Sequence, residues 1–151
     1  MKINFTKKEY RLLLEFMYLG DWMMSSQLDE VKYTEDNEHN ALYQKIFSHA
    51  KEMGFEDLVE HSPADNMYFE TRIFEELMDE TYVDPYDEEC FWEVLIRELA
   101  QRDAIEQMGE AVYAKLDPME RIKILYTYEK QYRKEFEDFG LSRLKLHKYN
   151  A

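Results

Sequence analysis

Cysteine is nearly absent from this chain. A single residue, Cys90, excludes an internal disulfide framework and fits a reducing compartment. Its neighbours Asp87, Glu88, Glu89 and Glu93 oppose thiolate formation, so a nucleophilic cysteine is not expected. Glycine (4) and proline (3) are equally scarce, leaving too little turn chemistry for an all-β fold. No apolar run is long enough to cross a membrane. The most apolar stretch is interrupted by Gly20 and Asp21, short of the roughly 18 residues a span requires. The N-terminus has no signal-peptide layout, because Lys2 is followed by polar Asn4, Thr6, Lys7 and Lys8. Cytoplasm is the expected location.

Positive charge is also in short supply. Nineteen basic side chains face thirty-three acidic ones, a net charge of −14. The deficit is concentrated: residues 29–110 carry six basic and twenty-four acidic side chains, whereas the two flanking segments are slightly basic. Such a middle repels a phosphate backbone, so direct nucleic-acid binding is not expected. Its plain meaning is a well-hydrated surface, and its sharper one a face that docks on a basic partner or imitates DNA.

Large apolar side chains are abundant, with twelve tyrosines and nine phenylalanines in 151 residues. That is one domain's length and enough apolar mass to form a core, so the expectation is a single helical domain over 1–151. The predicted fold is all-α: about five helices around a buried N-terminal helix. Strand is expected only as a two-stranded ribbon joining the termini. Lys2–Phe5 and Arg143–His147 supply its alternating pattern, with Ile3, Phe5, Leu144 and Leu146 inward.

The first helix is predicted from about Lys7 to Ser26, opened by a capping box of Thr6 and Glu9. Its apolar residues reach almost every side, which predicts burial nearly all round. Gly20 inside it is read as a close approach of another backbone or a kink. Asp21 sits among Tyr10, Leu14 and Met17 on the helical wheel; such a carboxylate must be paired, lie at the exposed end, or belong to a pocket. Thr34 caps a second helix from about Glu35 to Met53, with Gly54 as its left-handed stop. Glu35 and His39 are i, i+4 neighbours and weak candidates for a shared metal, although the Glu-x-x-His signature of di-iron bundles is absent. Partly buried, hydrogen-bonded histidines are the plainer reading of His39 and His49.

Phe55–Glu60 is read as a short helical turn, and Ser62-Pro63 as the start of a third helix from about Ala64 to Asp79, with Phe69, Ile73 and Leu77 on one face. Asp84-Pro85 marks a fourth helix to about Met108. Phe91, Trp92, Leu95 and Leu99 form its stripe, widened by Ile96. Glu88, Arg102 and Asp103 fall within that stripe, and with Asp21 they are candidates for a partly buried charge network. Gly109–Lys115 is a short helix or loop. Asp117-Pro118 opens the last helix, about Pro118 to Phe139, closed by Gly140. Its apolar face is rich in aromatics (Ile122, Leu125, Tyr126, Tyr132, Phe136, Phe139), with Lys123, Lys130, Arg133 and Lys134 outward.

Catalytic signatures are missing: no Gly-rich phosphate loop, nucleophile elbow, Cys-x-x-Cys pair or His-Glu-x-x-His motif occurs. The expectation is a small cytosolic module acting by protein–protein binding, with a protein partner or a second copy and no cofactor. The alternatives are an enzyme with scattered carboxylates and histidines, using a divalent metal, and an acidic DNA mimic that occupies a nucleic-acid-binding protein. Asp21, Trp22, Glu88, Trp92, Arg102 and Asp103 are the candidate binding residues.

Overall fold

A computed structural model of the protein describes residues 3–25 and 38–145. The fold is mostly helical with one small antiparallel sheet. In chain order the elements are α1 (Lys7–Ser25), α2 (Glu38–Phe47), β1 (Val59–Ser62), β2 (Met67–Glu70), α3 (Arg72–Met78), a π-helical turn (Asp79–Val83), α4 (Asp84–Met108), α5 (Glu110–Tyr113) and α6 (Pro118–Phe139). The contacts divide the chain into two compact units, Met1–Tyr86 and Asp87–Ala151. Among the described residues no helix is long and apolar enough to cross a membrane.

In the first unit α1 starts where its capping box places it. Thr6 Oγ1 accepts from the Glu9 amide, while Glu9 Oε2 accepts from the Thr6 amide at 2.8 Å. The helix buries one face rather than all of them: Tyr10, Leu14 and Tyr18. These residues recur every four positions and meet Tyr43, Phe47, Phe74 and Met78 in the core. The Tyr10 hydroxyl donates to the Ile46 carbonyl at 2.6 Å and fixes α1 against α2. Helix α2 is shorter than expected and ends at Phe47, followed by turns to Gly54 at φ +75°. Residues 35–37 lie outside the described residues.

The sheet corrects the expectation that strand would be confined to the termini. Residues 59–70 form a hairpin, with Val59 paired to Glu70 and Ser62 to Met67. Ser62-Pro63 therefore opens a loop and not a helix. The Ser62 hydroxyl donates to Asp65 Oδ2 at 2.9 Å, and Asn66 adopts φ +54°, a conformation asparagine tolerates. Gln44 of α2 docks on this hairpin through both ends of its amide. Its Nε2 donates to the Tyr68 carbonyl at 2.9 Å, and its Oε1 accepts from the Tyr68 amide at 2.6 Å.

Helix α3 consequently begins at Arg72, capped by Thr71, and its inward face is Phe74 and Met78. The expected face is not the buried one, because Phe69 belongs to β2 and Ile73 is 69% exposed. Nor does the chain stop and restart at Asp84-Pro85. The Asp84 amide reaches back to the Asp79 carbonyl, and the chain stays helical from α3 into α4. Pro85 has no amide to donate, and the wider π turn immediately before it absorbs the change in register.

In the second unit α4 and α6 run antiparallel. Trp92 packs on Phe136 with ring centroids 5.3 Å apart, Arg133 Nη2 donates to Glu93 Oε1 at 3.0 Å, and Tyr128 bonds to Gln107. Ile96, Ala100 and Ala104 are the buried residues of α4. The bounds of α6 agree with the sequence reading. Asp117 and Glu120 form a capping box with Pro118 in the first turn, and Gly140 follows the last at φ +53°. Of the aromatic face expected for α6, Leu125, Tyr132 and Phe136 are half-buried, whereas Ile122, Tyr126 and Phe139 are exposed. The terminal ribbon is not formed by its described residues: 3–5 and 143–145 are not strand, and Leu146 and His147 lie outside the described residues.

Candidate functional site

Leu12, Phe16, Gly20 and Met24 follow one another at i, i+4 intervals, so they form a ridge along α1. The ridge has a gap where Gly20 carries no side chain. Beneath the gap and between α1 and α2 lies a pocket of about 130 Å³ lined by Phe16, Met17, Gly20, Asp21, Met24, His39, Leu42 and Tyr43. Its outer walls are open to water, with Phe16 73% and Leu42 52% exposed. Its floor is held firmly. The Tyr43 ring stacks on Phe47 at 3.8 Å between centroids, and its hydroxyl donates to Glu70 Oε2 at 2.8 Å.

Gly20 was expected to admit another backbone or to mark a kink. It does neither: α1 runs unbroken through it, and a Cβ built there would meet nothing within 4 Å. A glycine inside a helix costs about 1 kcal/mol relative to alanine. Nothing in the surrounding packing accounts for that cost.

Asp21 is half-buried at the rim of this pocket. Burial, and then the negative charge of Glu70, push its carboxyl above the usual aspartate range. Trp22, the next residue, packs edge-on against Tyr86 with centroids 6.4 Å apart. A second acidic contact lies nearby on α1, where the Tyr18 hydroxyl donates to Asp79 Oδ1 at 2.8 Å. Burial and this carboxylate together push the Tyr18 phenol upward.

Glu88, Trp92, Arg102 and Asp103 belong to the second unit. Arg102 and Asp103 come together with Tyr132 of α6, a partner the sequence did not indicate. Arg102 Nε donates to Asp103 Oδ1 at 2.8 Å, Arg102 Nη2 donates to the Tyr132 hydroxyl at 3.1 Å, and that hydroxyl donates to Asp103 Oδ2. Burial pushes the Asp103 carboxyl up, but the Tyr132 and Arg102 donors outweigh it and hold it below the usual range. Asp103 and Tyr132 border a cavity of about 410 Å³ that is also lined by Glu135, Phe136 and Arg143. Trp92 lies between Phe91 and Phe136. Glu88 is exposed beside it, in a shallow depression shared with Arg133. Arg102 and Asp103 answer each other's charge, and through the Tyr132 hydroxyl they clasp α4 to α6.

His39 lies exposed on the rim of the α1–α2 pocket, and Glu35 lies outside the described residues. His49 is also exposed rather than partly buried, and its Nδ1 lies 3.4 Å from Glu52 Oε2. Among the described residues no group of three or more His, Cys, Asp and Glu side chains could hold a metal ion. Sequence reasoning singled out Asp21 and His39 of the α1–α2 pocket as candidates but passed over Phe16, Gly20 and Tyr43. The spacing of Leu12, Phe16, Gly20 and Met24 was a usable signal, because a glycine in an apolar i, i+4 row leaves a gap. No protein family, curated protein or solved structure matches this chain.

Proposed function

We propose that the protein is a small acidic cytoplasmic module that acts by binding another protein, as an adaptor or regulator, and not by catalysis. The observation that carries this reading is the α1–α2 groove, where Phe16 and Leu42 expose most of their apolar surface around a pocket with a fixed floor. Exposed apolar side chains gathered around a concavity are a feature of docking surfaces. The acidic surroundings suit such a role, because they favour encounter with a basic surface and discourage the wrong partners.

Affinity capture from the native host with wild type and Phe16→Asp tests the proposal. Proteins retained by wild type in physiological and high salt, and lost by a variant with an unchanged circular dichroism spectrum, are the expected result. Identical captures by both proteins, or none by either, refute it. Recovery of nucleic-acid enzymes at low salt alone would shift the reading to DNA mimicry.

A further inference from the structure

Helix α6 has 22 residues and buries none of them. Its inner side, with Leu125, Tyr132 and Phe136 half-buried, is turned to α4 through the Trp92–Phe136 and Tyr132–Asp103 contacts. A second apolar row is turned to solvent. Met119, Ile122 and Tyr126, at i, i+3 and i+7, are 62%, 59% and 66% exposed. Single exposed apolar residues are ordinary, but three along one helix face make a seam.

Beside this seam, about 70° further round the helix at roughly 100° per residue, run Lys123, Lys130 and Lys134. All three are exposed, and among the described residues no ion pair includes any of them. The neighbouring arginines of α6 are occupied: Arg121 lies over the Tyr113 ring at 5.0 Å, and Arg133 Nη2 pairs with Glu93 Oε1 at 3.0 Å. The carboxylates of the helix stand elsewhere. Glu120 accepts from the Asp117 amide, Glu129 lies on the other flank of the seam, and Glu137 and Asp138 come after the last lysine. Lys130 and Lys134 are i, i+4 neighbours and repel one another. In a chain of net charge −14, this is a positive stripe that its own helix does not neutralise.

An apolar seam flanked by lysines is one half of a helix pair. The other half supplies an apolar row for the seam and carboxylates for the lysines, as e and g positions do in a coiled coil. Size also points to a single helix. From Met119 to Lys134 the stripe is about 22 Å long and roughly 10 Å wide, at a rise of about 1.5 Å per residue. That is a few hundred Å² at most, against roughly 800 Å² per partner in a stable globular pair, so a second copy of this chain suits it poorly. A lipid surface suits it no better, because a row of three residues gives little to insert and anionic headgroups repel the chain's net charge. The same net charge opposes a phosphate backbone.

Going beyond the α1–α2 groove, we propose that the outward face of α6 docks an acidic amphipathic helix of a partner protein. Met119, Ile122 and Tyr126 pack its apolar row, and Lys123, Lys130 and Lys134 pair with its carboxylates.

The test uses the full chain and a fluorescent synthetic helix of about 21 residues, with leucines at a and d and glutamates at e and g, whose like charges keep it from pairing with itself. One control helix has serine in place of the leucines, and another has lysine in place of the glutamates. The protein variants are Ile122→Ser, Lys130→Glu and Lys51→Glu, the last making the same charge change at an exposed lysine of the first unit. Substitutions at such exposed positions leave stability nearly unchanged, which thermal melting checks; Tyr126→Ala replaces Ile122→Ser if that variant melts lower. Wild type is expected to bind the leucine–glutamate helix at least about tenfold more tightly than either control. Ile122→Ser loses about tenfold, Lys130→Glu loses about fivefold with part of the salt dependence, and Lys51→Glu stays within about twofold of wild type.

Equal binding by wild type and the seam variant overturns the proposal, as do equal losses in Lys130→Glu and Lys51→Glu, which would mean attraction by overall charge. Vesicles with about one-third phosphatidylserine, or a single strand of about 20 nucleotides, bound in place of the helix and released by Lys130→Glu, would assign the stripe to a membrane or a nucleic acid. Light scattering that shows a dimer of wild type dissolved by Ile122→Ser would assign the seam to a second copy. Each of these outcomes overturns the partner-helix assignment. Capture through Phe16 probes a different face in a different unit, so either reading can fail alone.

Discussion

The Tyr43 hydroxyl donates to Glu70 Oε2 across 2.8 Å, joining α2 to the second strand. Tyr43 is almost wholly buried, so its hydroxyl has no water to turn to and the carboxylate supplies its partner. Tyr43→Phe should lower stability by about 1–3 kcal/mol, because Glu70 loses a donor in a partly buried setting. Urea unfolding at neutral pH checks this. An unchanged midpoint would show that water replaces the hydroxyl at no cost.

Three buried phenols give the fold an alkaline limit. Burial pushes Tyr10 up to about 12 and raises Tyr18 and Tyr43 further, the last two also through Asp79 and Glu70. An unfolded tyrosine ionises near about 10. The folded state therefore holds these protons where the unfolded state has released them. The stabilisation is complete below about pH 10 and is lost as pH rises from there through the folded values. Ultraviolet titration should show the exposed tyrosines ionising first and these three only as circular dichroism is lost. Smooth ionisation of all twelve near pH 10 with the fold intact would contradict the burial.

Asp21 works in the same sense but over the acid range. Its raised carboxyl means that ionisation at neutral pH opposes folding. Asp21→Asn should melt higher than wild type at pH 7, and the gain should fade as pH falls through the usual aspartate range. A variant that melts lower at pH 7 would show that the carboxylate is held by attraction.

Adjacent residues on α3 should behave very differently. Phe74 is fully buried and Ile73 is largely exposed. Phe74→Ala should cost about 3–5 kcal/mol, whereas Ile73→Ala should stay within about 0.5 kcal/mol. Comparable losses at both positions would mean that α3 sits in another rotation.

That contrast also marks where the sequence could be read and where it could not. Asp117, Pro118, Glu120 and Gly140 bounded α6 because capping and helix termination are local chemistry, written within a few residues. Thr6 and Glu9 did the same for α1. The hairpin was hidden because Ser62-Pro63 serves equally as a helix start and as a turn, and its only left-handed residue is Asn66, not a glycine. Starting α3 too early then assigned its buried face to Phe69, Ile73 and Leu77 instead of Phe74 and Met78. The tyrosine–carboxylate pairs had no signal at all: Tyr18 and Asp79 are 61 residues apart in the chain, and only the fold brings them together. In the α1–α2 pocket, Asp21 was recognisable from its apolar surroundings on the wheel. That Gly20 lines the same pocket follows only from knowing which side of α1 faces α2.

Gln44 bears on how this protein behaves at high concentration. A two-stranded sheet ordinarily offers two unpaired edges on which another chain can grow. Here one glutamine amide takes both the N–H and the C=O of Tyr68, the same two bonds that an added strand would need at that residue. The side chain thus acts as a stopper on the outer edge of β2, and fibrous growth from that edge must first dislodge it.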